Sequence, residues 1–496
     1  MTHALNRRGF MTAAAALAAT TALPRPIRAQ GAGLRLTATS RVLDIDGRAA
    51  TVLGLENHLG GQGLVLDPGQ RFRLDLTNDL DIETIIHWHG QIPPNDQDGV
   101  PHIGIPLLQP GEVRSYDYAT RPGTHWMHSH VPVQEMALLA APLIVRRPED
   151  LMADRQEVTM FLHDFSFRPA DEVLAEITGG AGHDMSTMGG MDMGGGGTME
   201  GMEMGGGTMD GMNMGDRAAG VMDLNDFDFD AYLANDRTLS DPDVVTVERD
   251  GRVRLRIVNA AAATSFWIDT GTLPTRLVAV DGHEIDPIEG TRFGMAMAQR
   301  LDLEVDVPRD GAFPILALRE GARERTGIVL ATPGARVERL GSMAAEPAPA
   351  FDIDLTQESL LRAAGAQARS FLPDRPVDQS RMVMLGGQMS PYVWTVDGQT
   401  WGSHQPITAR SGERVRLTFH NMSMMGHPMH LHGHVFQVDN LNGRAVEGAL
   451  RDTVYVPPMS MVSIAFDAGE PGRWMLHCHQ MPHLSTGMMT ELIVSA

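Results

Sequence analysis

Three stretches of this chain alternate apolar and polar residues with period two: G-Q-R-F-R-L-D-L-T-N (69–78), G-R-V-R-L-R-I-V-N (251–259) and G-E-R-V-R-L-T-F-H-N (412–421). Side chains alternate across a strand, so each stretch predicts a half-buried β-strand. The three are versions of one strand, which makes the chain an internal repeat. Other short runs, such as L-D-L-E-V-D-V (301–307), are likewise bounded by Gly/Pro turns. The pattern predicts an all-β protein with one Greek-key β-sandwich per repeat. At 496 residues the chain has room for three such domains.

Beyond this strand the copies diverge. Sixteen residues on from Arg71 and Arg414 stand His87 and His430, whereas the same count from Arg252 reaches Ile268. The outer copies also end alike, P-G-T-H-W-M-H-S-H (122–130) paralleling P-G-R-W-M-L-H-C-H (471–479). The expectation is two outer domains that bind metal around a middle one that is blank.

These histidines form His-x-His pairs at 87/89, 128/130, 430/432 and 477/479. Each pair sets two imidazoles on one strand face, as clamping a metal cluster requires. The last pair brackets Cys478, the only cysteine, within H-C-H-Q-M-P-H-L-S-T-G-M-M (477–489). Cys478, His483 and a weak axial Met488 supply most of a trigonal blue-copper site, which needs one more histidine. His477 and His479 point to the face opposite Cys478, so one segment can serve copper on two sides.

With these motifs the chain resembles the three-domain multicopper oxidases, a family of laccases, copper-resistance oxidases and periplasmic cuprous oxidases. The resemblance covers nearly everything after the first thirty residues and implies cupredoxin-like domains. It also implies four copper ions: one type 1 held by His427, Cys478, His483 and axial Met488, and one type 2 held by His87 and His430. The type 3 pair would take His89, His128, His130, His432, His477 and His479. Electrons would enter at Cys478, pass through His477 and His479, and reduce O2 to water; the cluster would lie between domains 1 and 3. Asp98, in N-D-Q-D-G, matches an acid that the family uses for proton delivery. A second acid common after the last type 1 histidine is replaced by Leu484. Met424 and Met425 match the region where cuprous oxidases place a substrate-copper methionine, with Ser423 where a carboxylate is expected. His58, His102, His125, His163, His283, His404, His420 and His434 receive no ligand role and read as ordinary surface or hydrogen-bonded histidines.

Residues 183–222 hold eleven methionines among glycine, Asp and Glu, without periodicity. Such a segment cannot be a core element and reads as a flexible excursion carrying soft thioethers that select Cu(I). It favours a Cu(I)-oxidising role in copper tolerance over a laccase-type phenol oxidase. A Met-rich sequestering protein, the alternative from another class, would not need the trinuclear histidines. The N-terminus, N-R-R-G-F-M followed by a short apolar run, reads as a twin-arginine signal peptide directing the chain to the periplasm. The boundaries expected are 1–29 for the signal, 30–150 and 151–340 for domains 1 and 2, and 341–496 for domain 3. The lone cysteine leaves no disulfide, so the fold must rest on its own core. The formal charge of −22 argues against nucleic acid and anionic membranes as partners. A monomer using O2 with Cu(I), small phenols or metal ions as reductants is expected.

Overall fold

The computed structural model describes residues 33–179, 224–352, 361 and 368–496. The expected signal peptide and the Met-rich segment 183–222 lie outside them. The described chain folds as three two-sheet β-sandwiches in sequence. In the first, Arg48–Asn57, Leu34–Ile45, Phe72–Asn78 and Val113–Tyr118 face Leu64–Leu66, Ala140–Val145, Gly123–Ser129 and Ile86–His87. The middle sandwich packs a six-stranded sheet on a five-stranded one, and the third repeats that plan with extra short strands. Each sandwich holds its own apolar cluster.

The repeated strand occupies the same place three times. Phe72–Asn78, Arg252–Asn259 and Arg414–Asn421 each run parallel to the opening strand of their unit, Leu34–Ile45, Gln156–Phe165 and Gln379–Met389. Each is antiparallel to a later strand on its other side. Parallel neighbours cannot be joined by a tight hairpin, so the chain must cross between sheets, giving the Greek-key path.

Every copy ends in a fully buried asparagine. The Asn78, Asn259 and Asn421 amides donate to carbonyls of the following loops, at Ile82, Thr264 and Met425 respectively. Their Oδ1 atoms accept the backbone N–H two residues on, at Leu80, Ala261 and Ser423. These bonds fix how the chain enters the next strand, nine positions before His87, Ile268 and His430. Ile268 is buried in the core of the middle unit. Among the described residues no helix is long and apolar enough to cross a membrane.

Candidate metal centres

Each His-x-His pair straddles a strand end. His87, His128, His430 and His477 lie in strands Ile86–His87, Gly123–Ser129, His427–Leu431 and Gly472–Cys478, while His89, His130, His432 and His479 fall just beyond. Pairing of His87 with His128, and of His430 with His477, aligns the pairs within each outer unit. The two units then bring all eight buried imidazoles together.

Hydrogen bonds fix where the ring protons sit. His87 Nδ1 meets the Asp98 carbonyl at 2.8 Å, and His430 Nδ1 meets the Asp452 carbonyl at 2.8 Å. Both rings must donate there, so their Nε2 atoms carry lone pairs, yet these face each other at 3.4 Å. The same reasoning applies to His432, whose Nδ1 donates to Asp98 Oδ2 (2.8 Å), and to His477, whose Nδ1 donates to the Cys478 carbonyl (2.9 Å). Their Nε2 atoms stand 3.0 Å apart, and His130 converges on the same point. His128 Nδ1 donates to the Ser129 carbonyl (3.0 Å) with Glu135 Oε2 2.7 Å away, leaving Nε2 without a partner among the described residues. His89 Nε2 is held by Asp452 Oδ1 and Thr453 Oγ1, each at 3.0 Å, leaving Nδ1 without a hydrogen-bond partner among the described residues. Two lone pairs cannot hydrogen-bond each other, and buried polar atoms without partners are costly. Metal cations satisfy them all, and neutral imidazole is the ligand form. Burial, the largest cause, holds His89, His130, His430, His432 and His479 well below the usual histidine range and brings His477 down to about 3.

A second convergence lies on the other face of Cys478. His427 Nδ1 and His483 Nδ1 are 3.1 Å apart, and Cys478 Sγ is 3.7 and 3.5 Å from them. His427 Nε2 meets Ser423 Oγ at 2.9 Å, and His483 Nε2 faces Asp226 Oδ2 at 3.5 Å. Each therefore turns an Nδ1 lone pair toward the sulfur. Burial pushes the Cys478 thiol far above its usual range, so only a bound cation would keep it as thiolate here. Met488 is fully buried in the same apolar cluster, and its carbonyl accepts the Cys478 N–H at 3.1 Å. Met425 is buried in that cluster too, whereas Met424 is 60% exposed, so only one of the two expected substrate-copper methionines faces solvent.

Several residues around these centres escaped the sequence reading. Glu135 is buried between the clustered histidines, 2.7 Å from His128 and 3.8 Å from His479. Asp452 is gripped by Arg300 of the middle sandwich, Nη1 to Oδ1 at 2.6 Å, with Nη2 closing the fork. Arg300 also reaches the Thr124 carbonyl of the first sandwich and lies 3.5 Å from Asp281. One fully buried guanidinium thus ties all three units at the wall of the histidine cluster. His125 is buried with neither ring nitrogen hydrogen-bonded among the described residues, which corrects its expected surface or hydrogen-bonded setting. Burial, with Arg300 and Arg121 nearby, keeps it neutral.

Multicopper oxidase family models match residues 37–150, 208–332 and 374–496. A multicopper oxidase of Mycobacterium tuberculosis is 29% identical over 94% of this chain and 88% of its own length. A copper resistance protein A homologue of Pseudomonas syringae pv. tomato is 26% identical over 95% of this chain and 94% of its own. Among solved structures, Fet3p, a multicopper oxidase that functions in iron import, superposes with a TM-score of 0.71 at 17% identity, covering 93% of this chain and 90% of that one.

Proposed function

This chain belongs to the multicopper oxidase family, and on that premise we propose that it oxidises Cu(I) with dioxygen, four Cu(I), one O2 and four protons giving four Cu(II) and two waters. Its place would be in copper tolerance, in the periplasm, after export through the twin-arginine route. The observation that carries the substrate is the edge of the Cys478 centre. Ser423, in contact with His427, stands between Met422 and Met424, which are 58% and 60% exposed. Two solvent-facing thioethers there suit a soft Cu(I) donor.

Four resident coppers would supply one-electron acceptance from the donor and joint electron delivery to dioxygen. His427, Cys478 and His483, with Met488 beside them, would hold the type 1 ion, and His87 and His430 the type 2 ion. His89, His128, His130, His432, His477 and His479 would hold the type 3 pair. The peptide joining Cys478 to His477 and His479 links the two centres by covalent bonds. Asp98 orients His432 through Oδ2, while its Oδ1, 3.4 Å from His87 Nδ1 and without a hydrogen-bond partner among the described residues, would take up a proton beside the cluster. Glu135 orients His128 from the opposite side. Asp226 accepts from Tyr392 and Gln480 and faces His483 Nε2, fixing the tautomer that points Nδ1 inward.

Deleting residues 183–222 tests the substrate. Oxygen uptake with limiting Cu(I) should fall, while uptake with a bulky phenol should hold or rise. If neither changes, the Met-rich segment serves no cuprous substrate and the reading reverts to a laccase-type oxidase.

A further inference from the structure

The outward face of the third sandwich carries a second arrangement of soft ligands. In strand Gln379–Met389, Val383 and Leu385 point into the core and Met384 points out; in Arg414–Asn421, Phe419 points in and His420 out. Met384 is the register partner of His420, and His420 is the register partner of Met461 on the far side. Three adjacent strands therefore set Met384, His420 and Met461 in one row on one face, all half-exposed. Neighbouring strands lie about 4.8 Å apart, and directly opposed Cβ atoms about 5 Å. The flexible methionine side chains reach the imidazole between them across that spacing. His420 makes no side-chain hydrogen bond among the described residues.

The surroundings separate a metal-binding row from an ordinary apolar patch. In and just before the third sandwich, the exposed large hydrophobic residues are Phe371, Met382, Met389, Met422, Met424 and Met459, all but the first methionines. Docking faces are enriched in methionine too, but together with aromatic residues. Exposed sulfur concentrated on this sandwich, with an imidazole flanked by two methionines in one row, matches the ligand preference of Cu(I). The row also leads toward the Cys478 centre. Met422 N–H bonds the Leu385 carbonyl, and Met459 N–H bonds the carbonyl of Ser423.

We propose that Met384, His420 and Met461 form a surface site for Cu(I), separate from the four-copper centres and from segment 183–222. The site would gather the soft cation on the outward sheet face, whose strand Arg414–Asn421 runs on into the loop carrying Met422, Ser423 and Met424. It requires binding alone, so it stands or falls independently of which reductant the enzyme oxidises.

Ag(I), of the same charge and softness but not oxidised by the enzyme, is the probe. The copper-loaded full chain is treated with diethylpyrocarbonate with and without Ag(I), and modification of His420 is read by peptide mass spectrometry. Exposed His58 provides the internal reference. With Ag(I) at ten times its Kd, modification of His420 should slow on the order of tenfold. Protection should vanish in M384L/M461L, a near-isosteric exchange of surface residues that should leave the melting temperature and blue absorption in place. Absence of protection in the unaltered chain, or protection that persists in M384L/M461L, overturns the proposal.

Discussion

Replacing Arg300 with methionine keeps the length of the side chain and removes its charge. The guanidinium is fully buried and grips Asp452 in a fork, with Asp281 at 3.5 Å and the Thr124 and Ala298 carbonyls as further acceptors. At an effective dielectric of about 20, a charge pair 2.6 Å apart attracts by roughly 6 kcal/mol, and burial offsets much of this. Removing Arg300 strands the buried Asp452 carboxylate, while Asp281 keeps Arg451 at 3.3 Å, a change that costs about 3–5 kcal/mol. For a domain of 150–250 residues this corresponds to a fall in Tm of roughly 6–20 °C. The measurement is calorimetry of the copper-free protein, so that metal affinity does not enter. Arg300→Met combined with Asp452→Asn should recover part of the loss, because one stranded charge goes with its partner. A fall below about 2 °C, or a double variant as unstable as the sum of the singles, refutes the role of Arg300 as the buried tie between the units.

Cys478→Ser should abolish the intense blue absorption and substrate oxidation while copper remains on the eight clustered histidines; a variant that stays blue overturns the Cys478 assignment. His87→Ala should keep the blue band and lower oxygen uptake by at least about 10–100-fold, the range for losing even an outer partner of a ligand. Loss of the blue band with oxygen uptake intact would show the two sites reversed. Glu320 is buried, and desolvation raises its carboxyl to about 7. A raised folded-state pKa means that this group's contribution is complete below about 4.5 and lost as pH rises through about 7. Glu320→Gln keeps an acceptor for the Phe351 N–H and should flatten that loss, making the variant the more stable protein at pH 8; equal pH–stability curves would contradict the assignment.

The histidine pairs and the Cys478 segment that converge in the structure were legible because their motifs are local. Two-residue spacing places imidazoles around a strand end, and one short segment holds Cys478 between His477 and His479. The strand repeat was legible for the same reason. The surroundings of the ligands arise from the docking of distant segments, which no local pattern encodes. Asp226 reaches His483 and Arg300 reaches Asp452 only once three sandwiches have packed. Glu135 is the instructive omission. Carrying the match of Pro122–His130 with Pro471–His479 five residues further sets Glu135 opposite Leu484, the place where a second acid was expected and missing. The carboxylate is present, but in the first repeat. The burial of Met425 also escaped the sequence, since adjacent methionines in a loop do not reveal which one turns inward.

His87 and His430 face each other although 343 residues separate them. A nascent chain that has completed only its first two units presents His87, His89, His128 and His130 with their counterparts not yet made. Neither half can satisfy its lone pairs with a shared ion, so loading the shared cluster becomes a record of completed synthesis. A chain truncated or cleaved before residue 430 cannot build an intact oxygen-reducing centre, and partial products of translation are thereby kept from acting as unregulated redox catalysts.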